Sequence, residues 1–204
     1  AQRRGYRIYY YETKSLTFEN GKVYSFCQEV VFYENRKKYY SIIDSKKIDL
    51  SKTKFRLMRQ NPPFNMNYIT ATFLLEKISK QTQVVNDPSA VRNMPEKLHS
   101  IEFLKLMPAT IFTRSIDAID KFRKKHKKIV IKPTHGYGGK NILFVDQRSQ
   151  GRKILNYINQ HDQVMVQRFL PGIKQGDKRI FIIGGVIKGA IRRIPKRGSI
   201  ISNI

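Results

Sequence analysis

The chain has 204 residues, of which 40% are apolar and 27% charged, a composition typical of a folded globular protein rather than a disordered segment. No stretch approaches the roughly 18 uncharged apolar residues that cross a membrane, and no apolar signal-peptide core follows the first residues. Cys27 is the single cysteine, which excludes a disulfide framework and a cysteine-built metal site. We therefore expect a cytoplasmic protein with no membrane partner.

The net charge is strongly positive, because 40 lysines and arginines oppose 15 aspartates and glutamates and give +25. Such an excess is the electrostatic footprint of a nucleic-acid-binding module, which is one candidate function. The basic residues are spread along the chain, however, and a dense run such as 121–128 is more often a solvated helix face. An AT-rich gene would also enrich lysine, so charge alone does not make nucleic acid the expected partner.

The first part of the chain reads as strands around one helix. Segments rich in tyrosine, valine and phenylalanine predict strands, at 6–12, 23–33 and 55–58. Two prolines within 59–64 cannot continue a strand ladder, so a loop follows. Asn65 can then cap a helix over about 66–80, and its predicted apolar face carries Ile69, Phe73, Leu74 and Ile78. With a short strand at 84–85, this order favours a parallel α/β layer.

The pattern changes near residue 90, where helices come first and strands follow. Helices are expected over 92–105, 115–126 and 151–160. Strands are expected over 128–133, 141–146 and 164–167. The last segment, 179–194, predicts a hairpin that turns at Gly184 and Gly185.

A glycine-rich loop follows the predicted strand 128–133. The segment 132–140 reads Lys-Pro-Thr-His-Gly-Tyr-Gly-Gly-Lys. Glycines let backbone N–H groups approach phosphate oxygens with no Cβ in the way. The loop is not a Walker A motif, because Lys140 precedes Asn141 and a strand follows instead of a helix. It is therefore either a flap over a triphosphate or an ordinary glycine hairpin.

Lys132 closes an apolar strand, where an unpaired buried ammonium is costly. It either binds an anion such as a nucleotide phosphate or extends its ammonium group to solvent.

Arg179 and Arg193 lie on neighbouring predicted strands, and arginine suits bidentate binding of carboxylate or phosphate. The alternative is an exposed sheet face. A two-residue turn at 184–185 would place the two arginines on opposite faces, whereas a three-residue turn with a bulge would place them on the same face. A shared site needs the second geometry or some distortion.

Five ordered motifs carry a family resemblance, at 58–64, 86–98, 132–140, 170–179 and 193–195. With them the chain resembles the bacterial glutathione synthetase family of the ATP-grasp superfamily, over residues 1–204. The resemblance implies an α/β (α+β) ATP-grasp fold in three parts. These are an incomplete N-terminal α/β domain over 1–90, a small ATP-grasp subdomain over 91–165, and the start of the C-terminal subdomain over 166–204.

The resemblance also implies an activity and its partners. Members of this family join γ-glutamylcysteine to glycine through an acyl phosphate, using ATP and Mg²⁺, with Mn²⁺ as an alternative ion. The family's proteins are homo-oligomers.

Site residues follow from the same resemblance. The nucleotide-binding residues would be Lys97, Lys132, Gly136, Gly138, Gly139, Gln167, Arg168, Phe169, Leu170 and Asp177. The catalytic residues would be Arg179 and Arg193, facing the acyl phosphate. The substrate-binding residues would be Arg59 and Asn61.

The chain departs from the family pattern at several positions. Asparagine stands at Asn61 and Asn65 where the family has aspartate, the family has an aspartate near His135, and Arg168 replaces a more usual Asn or Glu. The lid segment 199–203 lacks the family's arginine, and the magnesium carboxylates are expected beyond Ile204, so no metal ligand is assigned. We therefore expect an incomplete copy with weak ATP affinity and little ligase activity; an inactive ATP-grasp relative is a further alternative.

Overall fold

The computed structural model describes residues 1–35, 37–149 and 151–195. The chain divides into two compact units, Ala1–Pro95 and a second that begins at Glu96. The further division of the second unit near residue 165 stays a prediction. Among the described residues, no helix has the length and hydropathy of a membrane span.

The first unit begins with a four-stranded antiparallel sheet. Its strands are β1 (Ile8–Tyr10), β2 (Thr17–Glu19), β3 (Lys22–Phe32) and β4 (Tyr40–Asp49). The central strand β3 pairs with all three others. The strands expected at 6–12 and 23–33 are confirmed, but β2 and β4 were not predicted. Most side chains of β4 are exposed, so this strand lacks the alternation of apolar and polar residues that marks a half-buried strand.

A parallel strand pair completes the first unit. It consists of β5 (Phe55–Leu57), the helix α1 (Met66–Glu76) and β6 (Gln83–Val85), and a second helix, α2 (Pro88–Asn93), follows. β5 and β6 are parallel, as predicted. The Asn65 side chain accepts a hydrogen bond from the Tyr68 backbone N–H at 3.1 Å and caps α1, which confirms the predicted start of the helix.

The predicted end and apolar face of α1 were partly wrong. The helix ends at Glu76 rather than near residue 80. Phe73 is 52% exposed, and the Arg92 guanidinium lies 3.9 Å from its ring centroid. Ile78 enters the core as predicted, with Val23, Cys27, Leu50 and Met58, and Leu74 packs against it. Leu75, which was not predicted for this face, is also part of the core. A cation stacked on an aromatic ring at the surface therefore replaces the burial that the helical spacing suggested.

The second unit contains three helices and six strands among its described residues. The helices are α3 (Glu96–His99), α4 (Ile116–His126) and α5 (Gly151–His161). The strands are β7 (Thr110–Thr113), β8 (Ile129–Pro133), β9 (Leu143–Val145), β10 (Val164–Arg168), β11 (Asp177–Ile183) and β12 (Val186–Arg193). The helices expected at 115–126 and 151–160 are confirmed. The continuous helix expected over 92–105 is wrong, because α2 ends before Pro95 and a 3-10 segment, Ser100–Leu106, follows α3.

A four-stranded antiparallel sheet in the order β7-β10-β8-β9 forms the centre of the second unit. Helices α4 and α5 pack on one face, where the core consists of Ile119, Ile129, Ile131, Val145, Ile154, Ile158, Val164 and Val166. Since side chains alternate along a strand, Lys132 and Gln167 lie on the opposite face. Thr110, directly across from Gln167 on β7, lies on that face as well.

The β11–β12 hairpin resolves the question of the two arginines. Gly184 and Gly185 both have positive φ, as in a two-residue turn of type I′. Ile182 pairs with Ile187 and Phe181 with Gly189, which leaves Lys188 as a bulge residue. Asp177 therefore pairs with Arg193, so Arg179, two residues along, shares a face with Arg193. The distortion that a shared site requires is a bulge within the strand.

The core of the second unit predicts a large cost for truncating Ile131, which is fully buried. We expect Ile131→Ala to lower the free energy of unfolding by about 2–5 kcal/mol, because it leaves a cavity, and Ile131→Val by about 0.5–1.5 kcal/mol. Urea denaturation of the chain measures both values. Equal stability of the alanine variant and the unsubstituted chain would contradict this assignment of the core.

Candidate functional site

A cavity of about 450 Å³ lies in the second unit, where β8, the glycine loop and the hairpin meet. Its lining residues are Glu96, Lys97, Lys132, Pro133, Gly136, Tyr137, Gly138, Gly139, Lys140, Ile142, Arg179 and Arg193. Five of these side chains are cationic and one is a carboxylate. This balance of charge makes the cavity suited to an anion.

Lys132 reaches the cavity from the sheet face that α4 and α5 leave uncovered. Its Nζ donates a hydrogen bond of 2.7 Å to Gln167 Oε1. Burial lowers the pKa of Lys132, and the positive charge of Lys97 lowers it further. An anion in the cavity would offset both effects, because it stabilises the protonated ammonium.

Lys97 reaches the same cavity from α3. Its Nζ donates a hydrogen bond to the Gly136 carbonyl of the glycine loop. Burial lowers the pKa of Lys97, and the carboxylate of Glu96 partly offsets that effect. The contact with Gly136 ties the loop to α3, although the two are far apart in sequence.

The glycine loop joins β8, which ends at Pro133, to β9, which begins at Leu143. Thr134 anchors its start, because its hydroxyl donates to the Gln163 carbonyl at 2.7 Å. Gly138 and Gly139 both have positive φ, a conformation that other residues adopt only with strain. The loop is longer than a tight hairpin, and the three glycines that line the cavity present backbone to it. These features favour the flap over an ordinary hairpin.

The two arginines enter the cavity from the hairpin. Arg193 Nε donates to Asp177 Oδ1 at 3.1 Å, and its Nη2 pairs with Oδ2 of the same carboxylate. This bidentate pair fixes the plane of the guanidinium. Gly176 lies so close that a Cβ there would be 2.2 Å from the Arg193 carbonyl oxygen, so this position requires glycine.

The structure thus gathers most of the predicted nucleotide-binding and catalytic residues around one cavity. Lys97, Lys132, Gly136, Gly138, Gly139, Arg179 and Arg193 line it. Gln167 and Asp177 contact it through their bonds to Lys132 and Arg193. Sequence reasoning missed five lining residues, which are Glu96, Pro133, Tyr137, Lys140 and Ile142. The first four lie within recognised motifs and Ile142 lies two residues beyond one, so this proximity was the available signal.

The remaining predicted residues lie elsewhere. Arg168, Phe169 and Leu170 are absent from the cavity lining, and the Phe169 ring instead contacts Phe144 with 5.1 Å between centroids. Arg59 and Asn61 line a separate cavity of about 590 Å³ within the first unit. The altered lid segment 199–203 lies outside the described residues. No role of these residues is tested by the geometry, and their assignments stay predictions.

A metal centre cannot be built from the described part of the chain. There, no three His, Cys, Asp or Glu residues are grouped so that they could hold a metal ion. Magnesium prefers several oxygen ligands, and Glu96 is the one carboxylate in the cavity lining. These residues therefore do not fit a magnesium site, and we assign no metal ligand.

Comparison with known families accounts for nearly the whole chain. A model of the prokaryotic glutathione synthetase ATP-grasp domain matches residues 96–204, and a model of the N-terminal domain of the same enzymes matches residues 1–92. The chain belongs to the prokaryotic glutathione synthetase family. This finding confirms the resemblance and the ATP-grasp fold class, which implies ATP binding with a divalent metal ion.

Individual relatives agree with this family. A glutathione synthetase of Mesorhizobium japonicum is 39% identical over 207 residues, which cover all of this chain and 66% of the relative. The chain therefore spans about two thirds of that relative's length. Two solved structures share the fold alone. The D-cycloserine synthetase DcsG has a TM-score of 0.58 and 18% identity, and the match covers 72% of this chain and 54% of DcsG. The ATP-grasp ligase PsnB, complexed with a precursor peptide and AMPPNP, has a TM-score of 0.56 and 16% identity, and the match covers 95% of this chain and 65% of PsnB.

The lowered lysine pKa values predict that anion binding weakens as pH rises. The anion raises the pKa of Lys97 and Lys132, so binding takes up protons wherever these lysines are partly deprotonated in the unbound chain. We expect affinity for inorganic tripolyphosphate to fall with rising pH, beginning below the ordinary lysine value of 10.5. Isothermal titration calorimetry across this range, in buffers of different ionisation enthalpy, measures affinity and proton uptake.

The Lys132→Met variant is the control for ionisation of the anion itself, because the substitution alters the protein and leaves the ionisation of the anion unchanged. It should bind more weakly and show a smaller dependence on pH. If the variant and the unsubstituted chain show the same pH dependence, Lys132 does not bind the anion.

Proposed function

We propose that this chain binds ATP in the cavity of the second unit and that the protein encoded by its gene ligates γ-glutamylcysteine to glycine. The observation that supports this most directly is the convergence of Lys97, Lys132, Arg179 and Arg193 with three loop glycines around one cavity. Membership of the glutathione synthetase family supports the choice of reaction.

The lysines and the loop would act on the phosphates. Phosphoryl transfer depends on positioning and charge neutralisation more than on covalent help from the protein. Lys97 and Lys132 would neutralise and orient the phosphate chain, while the loop 134–140 closes over it and excludes water. The divalent ion that accompanies ATP would be Mg²⁺ or Mn²⁺, and the described residues do not supply its ligands.

The arginines would act at the reacting carboxylate. In the proposed reaction the C-terminal carboxylate of γ-glutamylcysteine takes up a phosphoryl group, and the glycine amine then displaces phosphate. Arg179 and Arg193 would stabilise the negative charge that develops on these oxygens. Asp177 holds Arg193 in a fixed orientation, so this guanidinium would need little reorganisation when the substrate binds.

The remaining assignments complete the proposal. The segment 167–170 would contact adenine and ribose. Arg59 would pair with a substrate carboxylate, with Asn61 beside it in the cavity of the first unit. We further propose that the whole protein is a cytoplasmic homo-oligomer. The comparisons lend no support to a nucleic-acid-binding module or to an inactive relative.

The role of Lys132 predicts a specific loss of ATP binding by the 204-residue chain. We expect Lys132→Gln to raise the dissociation constant for ATP about tenfold, because a charge-assisted bond to phosphate is lost. Calorimetric titration measures the constant. Lys153→Gln, which removes an exposed lysine from α5, is the matched control and should bind ATP as the unsubstituted chain does. Equal affinity of the two variants would contradict the proposed site.

The role of Arg179 predicts a loss of catalytic rate in the protein as its gene encodes it. We expect phosphate release that requires ATP, γ-glutamylcysteine and glycine together, and a kcat lowered roughly 100-fold by Arg179→Met, as for loss of one group that stabilises transition-state charge. A steady-state phosphate assay measures both. Arg152→Met, on the exposed side of α5, is the control. Phosphate release that is independent of glycine would exclude the proposed reaction.

A further inference from the structure

A chain of hydrogen bonds leads away from the cavity and into the sheet. Lys132 Nζ donates to Gln167 Oε1 at 2.7 Å, and Gln167 Nε2 donates to Thr110 Oγ1 at 2.9 Å. The Thr110 hydroxyl in turn donates to the Pro108 carbonyl at 2.7 Å. This series of hydrogen bonds thus crosses from β8 through β10 to β7, and it joins three strands on the face opposite the helices.

The direction of every hydrogen bond in this series is determined by the groups at the two ends of the series. A lysine ammonium can only donate, and a backbone carbonyl can only accept. Since the Thr110 hydroxyl gives its proton to Pro108, its oxygen offers a lone pair to Gln167. The side-chain amide of Gln167 must then direct its N–H group toward Thr110 and its oxygen toward Lys132.

Burial makes this orientation consequential. Gln167 is 7% exposed, so an unpaired amide group there would have few water molecules to replace its partner. Without the Thr110 hydroxyl, the amide could rotate and turn its N–H group toward the lysine ammonium, where the two donors repel. Thr110 can therefore determine, through Gln167, where the Lys132 ammonium lies in the cavity.

We propose that Thr110 and Gln167 are positioning residues, which direct the Lys132 ammonium toward the phosphates of a bound nucleoside triphosphate. This inference rests on the proposed ATP site. It assigns a role to Thr110, which lies outside the cavity lining, and it gives Gln167 a task distinct from the predicted contact with adenine.

The test uses an isosteric pair of substitutions in the 204-residue chain. Thr110→Val removes the hydroxyl and retains the shape of the side chain, whereas Thr110→Ser retains the hydroxyl. We expect Thr110→Val to raise the dissociation constant for ATP about threefold to tenfold, the usual worth of one hydrogen bond, and Thr110→Ser to bind within about twofold of the unsubstituted chain. Calorimetric titration measures affinity, and thermal unfolding shows that each variant is folded.

A double-mutant cycle separates positioning from a general structural effect. If Thr110 acts through Lys132, Thr110→Val should cause no further loss of ATP affinity in the Lys132→Gln background. The same fold-loss in both backgrounds, or equal ATP affinity of Thr110→Val and the unsubstituted chain, would overturn this inference alone. Absence of ATP binding by the unsubstituted chain would overturn the proposed ATP site and this inference with it.

Discussion

The arrangement of the second unit depends on the partial burial of two positive charges in one cavity. Burial lowers the pKa of both Lys97 and Lys132, and Lys97 also lowers that of Lys132. Such a pair of like charges is electrostatically unfavourable, and the Glu96 carboxylate offsets part of the cost. The bond from Lys97 to the glycine loop and the bond from Lys132 to Gln167 offset part of this cost. The same positive charges that repel each other favour binding of an anion.

The central sheet of the second unit has two chemically different faces, and Lys132 reaches the cavity from one of them. Isoleucines and valines on one face pack against α4 and α5 and form the core. On the other face the polar side chains of Thr110, Lys132 and Gln167 bond to one another. A strand can serve both purposes because its side chains alternate. Stability and proposed ligand binding are therefore carried by adjacent residues of the same strands.

The hairpin contributes two arginines to the cavity, and a bulge in one of its strands makes this possible. Lys188 is a bulge residue, and the extra position changes which side chains share a face. Arg179 and Arg193 consequently line the same cavity, while the Asp177–Arg193 pair links the two strands. Gly176 is required beside them, since a side chain there would overlap the Arg193 carbonyl. The proposed catalytic arginines thus depend on backbone features as much as on their own chemistry.

The sequence alone was sufficient for the family, the α/β class, the glycine loop and most of the cavity residues, because these depend on local motifs and on residue chemistry. It did not reveal the exposed strand β4 or the surface position of Phe73, since neighbouring segments override local preference there. The break of the helix near Pro95 is different, because it follows from a local proline that the prediction overlooked. Only the tertiary structure decided the shared face of Arg179 and Arg193 and the link from Lys132 to Thr110. Both depend on strand register, and a shift of one residue would reverse the face of every side chain.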